Sequence, residues 1–138
     1  MKSEHAIEID APPATVWSVT EDVESWPQWN PTMLSVERID PGPLDVGSAA
    51  RIEQRGLPEA RWEVTELERG RRFTWETRVR GIRMVATHEL VPLGGGTRNV
   101  LRLETSGLLA VLLWPQIAAS TRRALAQENA GLKARCES

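Results

Sequence analysis

The stretch LLAVLLWPQIAASTRRALAQENAGLKAR, Leu108–Arg135, decides the fold. It is rich in Ala, Leu, Gln, Glu, Lys and Arg, all good helix formers, and has no strand signal after Trp114. Ile117, Thr121, Ala124, Leu125, Glu128 and Leu132 recur at three- and four-residue steps and share one helical face. Arg122, Arg123, Gln127 and Lys133 lie mostly off it. One helix of this length runs to roughly 40 Å at 1.5 Å per residue. A strand spans only about 17–20 Å, so a wide, curved sheet is needed to cover it. Pro115 leaves two starting points open. Either the helix begins at Leu108 with a proline inside it, or it begins at Pro115, leaving Leu108–Trp114 as a separate apolar segment and Trp114 as a lid.

Working outward, the chain before the helix supplies that sheet. His5, Ile7 and Ile9 alternate with Glu4, Ala6 and Glu8, a first strand with one apolar face. Asp10-Ala-Pro-Pro13 stops it. Pro13–Thr20 reads as a short helix, and Asp22 as the N-cap of a second that ends before Pro27. The run WPQWNP, Trp26–Pro31, is a rigid bend whose two indoles are either buried or touch a ligand. From Met33 the period is two. Leu34, Val36 and Arg38 alternate in a second strand, and Ala50, Ile52 and Gln54 share a face of a third. Trp62 and Val64 mark the fourth; Phe73, Trp75, Thr77 and Val79 the fifth. Ile82, Met84, Ala86, His88 and Leu90 line the sixth, and Asn99, Leu101, Leu103 and Thr105 the seventh. The links are too short for parallel crossovers. The prediction is an α+β fold, β-α-α-β6-α, with an antiparallel meander under the long helix.

Composition narrows the function classes. The 138 residues form one domain, 1–138, with 41% apolar and 26% charged residues. A net charge of −2 speaks against a nucleic-acid partner. The single cysteine, Cys136, leaves no disulfide framework or zinc set within the chain. The N-terminal MKSEHAIEID has no apolar signal core, and Leu108–Trp114 is too short for stable membrane insertion. A soluble cytoplasmic protein, monomer or homodimer, is expected.

The inner face carries the functional argument. Most of it is apolar, but Gln54, Thr77, His88, Thr105, Thr121 and Glu128 are not. An unpaired buried polar group costs about 1–3 kcal/mol. These groups either pair with one another and the backbone, or line a partly wet cavity where a ligand satisfies them. The small helix residues Ala118, Ala119, Ser120 and Ala124 favour the cavity. The candidate ligand-binding set is Trp29, Ile52, Gln54, Trp62, Trp75, Thr77 and Met84 with His88, Leu101, Leu103, Trp114, Ile117, Thr121 and Leu125. His88 is either an acid–base group aimed into the cavity or a histidine bonded within the core. His5 also faces inward, but no third ligand is placed by spacing, so no metal and no cofactor are expected. Gly94-Gly-Gly96-Thr97 lacks the lysine of a phosphate loop and reads as a hairpin turn.

With IDAPPATVW at Ile9–Trp17, the Asp22–Pro31 run ending in WPQWNP, WEVTELERGRRFTW at Trp62–Trp75 and THELVPLGGGT at Thr87–Thr97, the chain resembles the START-like (SRPBCC) superfamily in its polyketide cyclase/dehydrase and lipid-transport branch. The closing LK at Leu132–Lys133 adds to the likeness, which runs the length of the chain. The resemblance implies a helix-grip fold, a seven-stranded antiparallel sheet curved round the C-terminal helix. It also implies two short helices propping that helix over a deep apolar pocket. Similar proteins bind lipids, polyketides, sterols or plant hormones; some are aromatase/cyclases and some interaction modules. No family catalytic motif maps onto these residues. The leading expectation is a binder of a small hydrophobic or aromatic molecule. A polyketide cyclase or dehydratase using His88, with Gln54 or Thr77 fixing a carbonyl, is the second. A protein-interaction module presenting Leu108–Trp114 is the third.

Overall fold

The alternating stretches pair into one antiparallel sheet of seven strands, and the last stretch forms one helix beneath it. The computed structural model describes every residue, Met1–Ser138. In chain order the elements are β1 (Lys2–Ile9), α1 (Pro13–Glu21), a 3-10 helix (Val23–Gln28), β2 (Met33–Arg38), β3 (Ala49–Gln54), β4 (Ala60–Glu68), β5 (Arg72–Val79), β6 (Ile82–Leu93), β7 (Gly96–Ser106) and α2 (Leu108–Glu137). The strand order is β1-β7-β6-β5-β4-β3-β2, so the meander keeps sequence neighbours together and β1 closes on β7. This is the helix-grip arrangement that the resemblance implies.

One reading left open is decided and two need correction. α2 is a continuous helix of 30 residues from Leu108, with Pro115 inside it. Proline removes only the N–H that would reach the Val111 carbonyl. Trp114 therefore lies within the second turn of an unbroken helix and is no hinged lid. The second short helix is 3-10 and runs past Pro27 to Gln28. The proline φ near −65° suits that tighter turn, and Asp22 caps it through no side-chain bond. In β2, a register shift between Met33 and Ser35 buries Met33 and Val36 and turns Leu34 outward.

α2 does not lie evenly across the sheet. It packs on β1, β7 and α1, touches β6, and makes no close backbone approach to β2–β5. Two glycines permit the contacts at its ends. A Cβ on Gly107, whose φ is +113°, would stand 2.1 Å from the Gly81 carbonyl oxygen. A Cβ on Gly131 would stand 2.0 Å from that of Trp29. Beyond Gly131, Lys133 Nζ donates to the Glu8 carbonyl at 2.9 Å, and Glu137 accepts the Asp10 N–H at 2.7 Å. The helix is thus held near one half of the sheet and stands off the other.

Two carboxylates serve as pH-sensitive ties. Asp40 is held below its ordinary value, chiefly because it accepts the Ala49 N–H, with Ser48 and Arg38 adding to the effect against desolvation. Glu137 is lowered chiefly by the Asp10 N–H and then by Lys133. Both folded-state values lie below the unfolded ones, about 3.9 for Asp and 4.3 for Glu. Their stabilisation is therefore complete above those values and is lost as pH falls through the lowered ones. A double Asp40→Asn, Glu137→Gln variant should show a flatter fall in urea midpoint between neutral pH and the acid limb than the parent. An unchanged slope would contradict these ties.

Candidate functional site

The offset of α2 leaves a cavity of about 340 Å³ between the helix and β3–β7. Its walls follow from alternation. Ile52, Trp62, Trp75, Met84, Ala86, His88, Leu101 and Leu103 all point to the concave side of successive strands. The helix supplies Leu109, Ile117, Ser120, Thr121, Ala124, Leu125 and Glu128, residues of one face with three short side chains at its middle. The mouth lies where exposed turns enter the lining: Arg55–Pro58 between β3 and β4, Arg80 between β5 and β6, and Leu109 at the start of α2.

The closed end is aromatic and polar at once. Trp26 is fully buried there, with ring centroids 5.3 Å from Trp75, 5.1 Å from His88 and 5.7 Å from Trp29. Its indole N–H donates to the Thr20 carbonyl at 3.0 Å, so α1 and the 3-10 helix fix its position. The His88 imidazole stacks on Phe73 at 4.5 Å with ring planes 11° apart. Its Nε2 lies 3.3 Å from Glu128 Oε2. The other oxygen, Glu128 Oε1, accepts from Asn30 Nδ2 at 3.1 Å. Asn30 Oδ1 in turn accepts the backbone N–H and hydroxyl of Thr32, at 3.0 and 2.8 Å. A chain from Thr32 through Asn30 and Glu128 to His88 thus ties the bend before β2 to α2 and β6.

A parallel network lies on the β1 side. Asn129 accepts from Asn99 at 2.7 Å and its amide approaches His5 Nδ1 at 2.8 Å. His5 is thereby used to seat the helix on β1 and β7, and it stands outside the cavity lining.

The candidate set divides. Ile52, Gln54, Trp62, Trp75, Met84, His88, Leu101, Leu103, Ile117, Thr121 and Leu125 line the cavity together. Trp29, Thr77 and Trp114 do not. Trp29 packs on Trp26 and against Gly131. The Thr77 hydroxyl donates across the sheet to the Arg61 carbonyl at 2.7 Å, which satisfies it away from the cavity. Trp114 is half-buried on an unbroken helix. Of the pair in WPQWNP, the indole in the lining is Trp26, and the sequence set named the other. The mouth residues Arg55, Leu57 and Arg80 also escaped that reading, since turns carry no periodic signal.

The inner polar groups take both routes open to them. Thr77, His88 and Glu128 pair within the protein. Trp62 Nε1, His88 Nδ1 and Thr105 Oγ1 are buried in the lining with no partner in the protein. Outside the site, burial pushes the Cys136 thiol up to about 11, which suppresses the reactive thiolate.

Glu128→Leu leaves both the Asn30 amide and His88 Nε2 without a partner. At about 1–3 kcal/mol for each orphaned group, a loss of about 2–6 kcal/mol is expected in urea unfolding. A loss below about 1 kcal/mol would mean the chain of bonds is not formed in solution.

Residues 1–137 match the family model described as polyketide cyclase / dehydrase and lipid transport. No curated protein matches the chain. Among solved structures, the Zhui aromatase/cyclase from Streptomyces sp. R1128 is similar at 16% identity and a TM-score of 0.83, covering 99% of this chain and 93% of that one. A START superfamily protein from Mycobacterium smegmatis is similar at 21% identity and a TM-score of 0.77, covering 99% and 97%. TTHA0849 from Thermus thermophilus is similar at 20% identity and a TM-score of 0.81, with the same coverage. At these identities the likeness is one of fold.

Proposed function

The chain belongs to the polyketide cyclase/dehydrase and lipid-transport family, and on that premise we propose that it binds a small, largely apolar molecule bearing hydrogen-bonding groups between the sheet and α2. The observation that carries this is the cavity of about 340 Å³ in a mainly apolar wall, with three unpartnered polar atoms buried within the side chains that line it. That volume is at the small end of the range for ligand pockets. The Trp62 N–H is a donor only, the Thr105 hydroxyl both donor and acceptor, and the aromatic wall of Trp26, Trp62 and Trp75 favours a flat ring system. A ligand with one oxygen near Trp62 and another polar group near Thr105 or His88 relieves the desolvation of those atoms once a small side-chain rotation on binding turns them into the cavity. Because three tryptophans line the cavity, 1-naphthol or decanoic acid bound there quenches or shifts their emission. Native mass spectrometry of the isolated protein reports any ligand carried through purification. No adduct, and no saturable change with either probe, would sink the reading.

One observation favours a second reading, a cyclase or dehydratase. If the Nε2–H of His88 is held by Glu128, Nδ1 keeps a lone pair with no partner and is the basic nitrogen. His88 then takes or returns a proton on a substrate held against Trp62 and Trp75, and the cavity wall orients the chain for ring closure. His88→Gln is expected to abolish cyclisation of a poly-β-keto thioester while leaving 1-naphthol binding in place. Unchanged turnover in that variant would remove His88 from the chemistry.

A further inference from the structure

The first turns of α2 present apolar side chains to solvent. Leu108 is 79% exposed, Leu112 69% and Val111 61%, with Leu109 and Leu113 also exposed. An apolar cluster of this density on a protein surface marks an interaction site. It is continuous with the cavity mouth: Leu109 is itself part of the lining, and so are the exposed Leu57 and Pro58 of the facing turn. Gly107 seats this end of the helix directly on the Arg80–Gly81 turn.

Charge selects the occupant. Arg55 and Arg80 stand in the mouth lining, and neither pairs with a carboxylate. There is no Asp or Glu between Glu104 and Glu128, and the first charges along α2 are Arg122 and Arg123. Glu59, next to the β3–β4 turn, is outside the lining. A second copy of the chain docking here about a two-fold axis would bring like arginines together with no acid in the patch to meet them. An anionic lipid surface matches both features, taking the leucines into the acyl boundary and the guanidinium groups to the phosphates. No helix is long and apolar enough to cross a membrane, so such contact is peripheral.

We infer that the start of α2, with the Arg55–Pro58 and Arg80–Gly81 turns, docks reversibly on anionic membrane surfaces, with the cavity mouth facing the lipid. The docking stands on the exposed patch and its charges, independently of what the cavity holds. An apolar molecule entering there passes from bilayer to cavity without crossing water.

The test is co-sedimentation of the full chain with vesicles of phosphatidylcholine alone and of phosphatidylcholine mixed with phosphatidylglycerol. Binding to the mixed vesicles is expected, weaker on the neutral ones and reduced by salt. Leu112→Asp should weaken it by at least about tenfold, from the apolar burial lost. Its exposed site leaves the thermal unfolding midpoint unchanged, which separates lost docking from lost fold. Arg55→Glu and Arg80→Glu should each weaken it by about fivefold or more. Three results would overturn the inference: no sedimentation with the mixed vesicles, binding indifferent to both arginine variants, or a wild-type dimer in solution that Leu112→Asp dissociates. The last would assign the patch to a second copy.

Discussion

Trp26→Ala is expected to lose about 3–5 kcal/mol of stability, the cost of removing a fully buried aromatic side chain. Small domains hold only about 5–15 kcal/mol in total, so the variant should be partly unfolded at physiological temperature. The residue earns this weight by position. Its ring meets Trp29, Phe73, Trp75 and His88, and its N–H closes a bond to the Thr20 carbonyl. It therefore joins the short helices to β5 and β6, and it floors the cavity as well. Urea unfolding followed by far-UV circular dichroism measures the loss. Trp26→Phe keeps much of the ring packing and should retain a larger share of the stability. If Trp26→Ala cost less than about 1.5 kcal/mol, the aromatic cluster would not be the keystone of this end of the molecule.

Ala124→Phe is expected to act in the opposite way, on binding and not on fold. Ala124 lies in the middle of α2 with its methyl group in the cavity lining. A phenyl ring there extends into space already present, so it displaces little protein. It occupies the volume a ligand needs. Forcing extra volume into a filled site costs about 1–3 kcal/mol, which corresponds to roughly a fivefold to 150-fold weaker affinity. Titration of 1-naphthol followed by tryptophan emission reads this directly. The unfolding midpoint should hold or rise. Equal affinity in the parent and in Ala124→Phe would place the binding elsewhere.

How far the sequence reaches can be judged residue by residue. The strands and their inward faces were legible because one side of the sheet meets apolar groups and the other meets water; Trp75, Met84, His88 and Leu101 fall where period two places them. The helical face from Ile117 to Leu132 was legible for the same reason at its own period. Contacts that join distant parts were not. Nothing local marks Asn30 as the partner of Glu128, 98 positions away. Trp26 and Trp29 sit in one bend with the same chemistry, and only the packing of Gly131 on Trp29 and the bond from Trp26 to Thr20 tell them apart. Thr77 alternates inward correctly, yet a hydroxyl with a carbonyl 2.7 Å away has no need of a ligand. The start of α2 was ambiguous because proline suits both a first turn and, at the loss of one bond, an interior position.

The central claim is that the space between sheet and α2 receives a ligand that satisfies its buried polar atoms. The indole N–H resonances test it most directly. Trp17 and Trp26 already donate, to Glu21 and to the Thr20 carbonyl, whereas the Trp62 N–H has no partner in the protein. In a proton–nitrogen correlation spectrum, saturating 1-naphthol should move the Trp62 indole peak well downfield, while the Trp17 peak stays in place. Shifts confined to Leu108–Leu113, or an unmoved Trp62 peak at saturation, would contradict it.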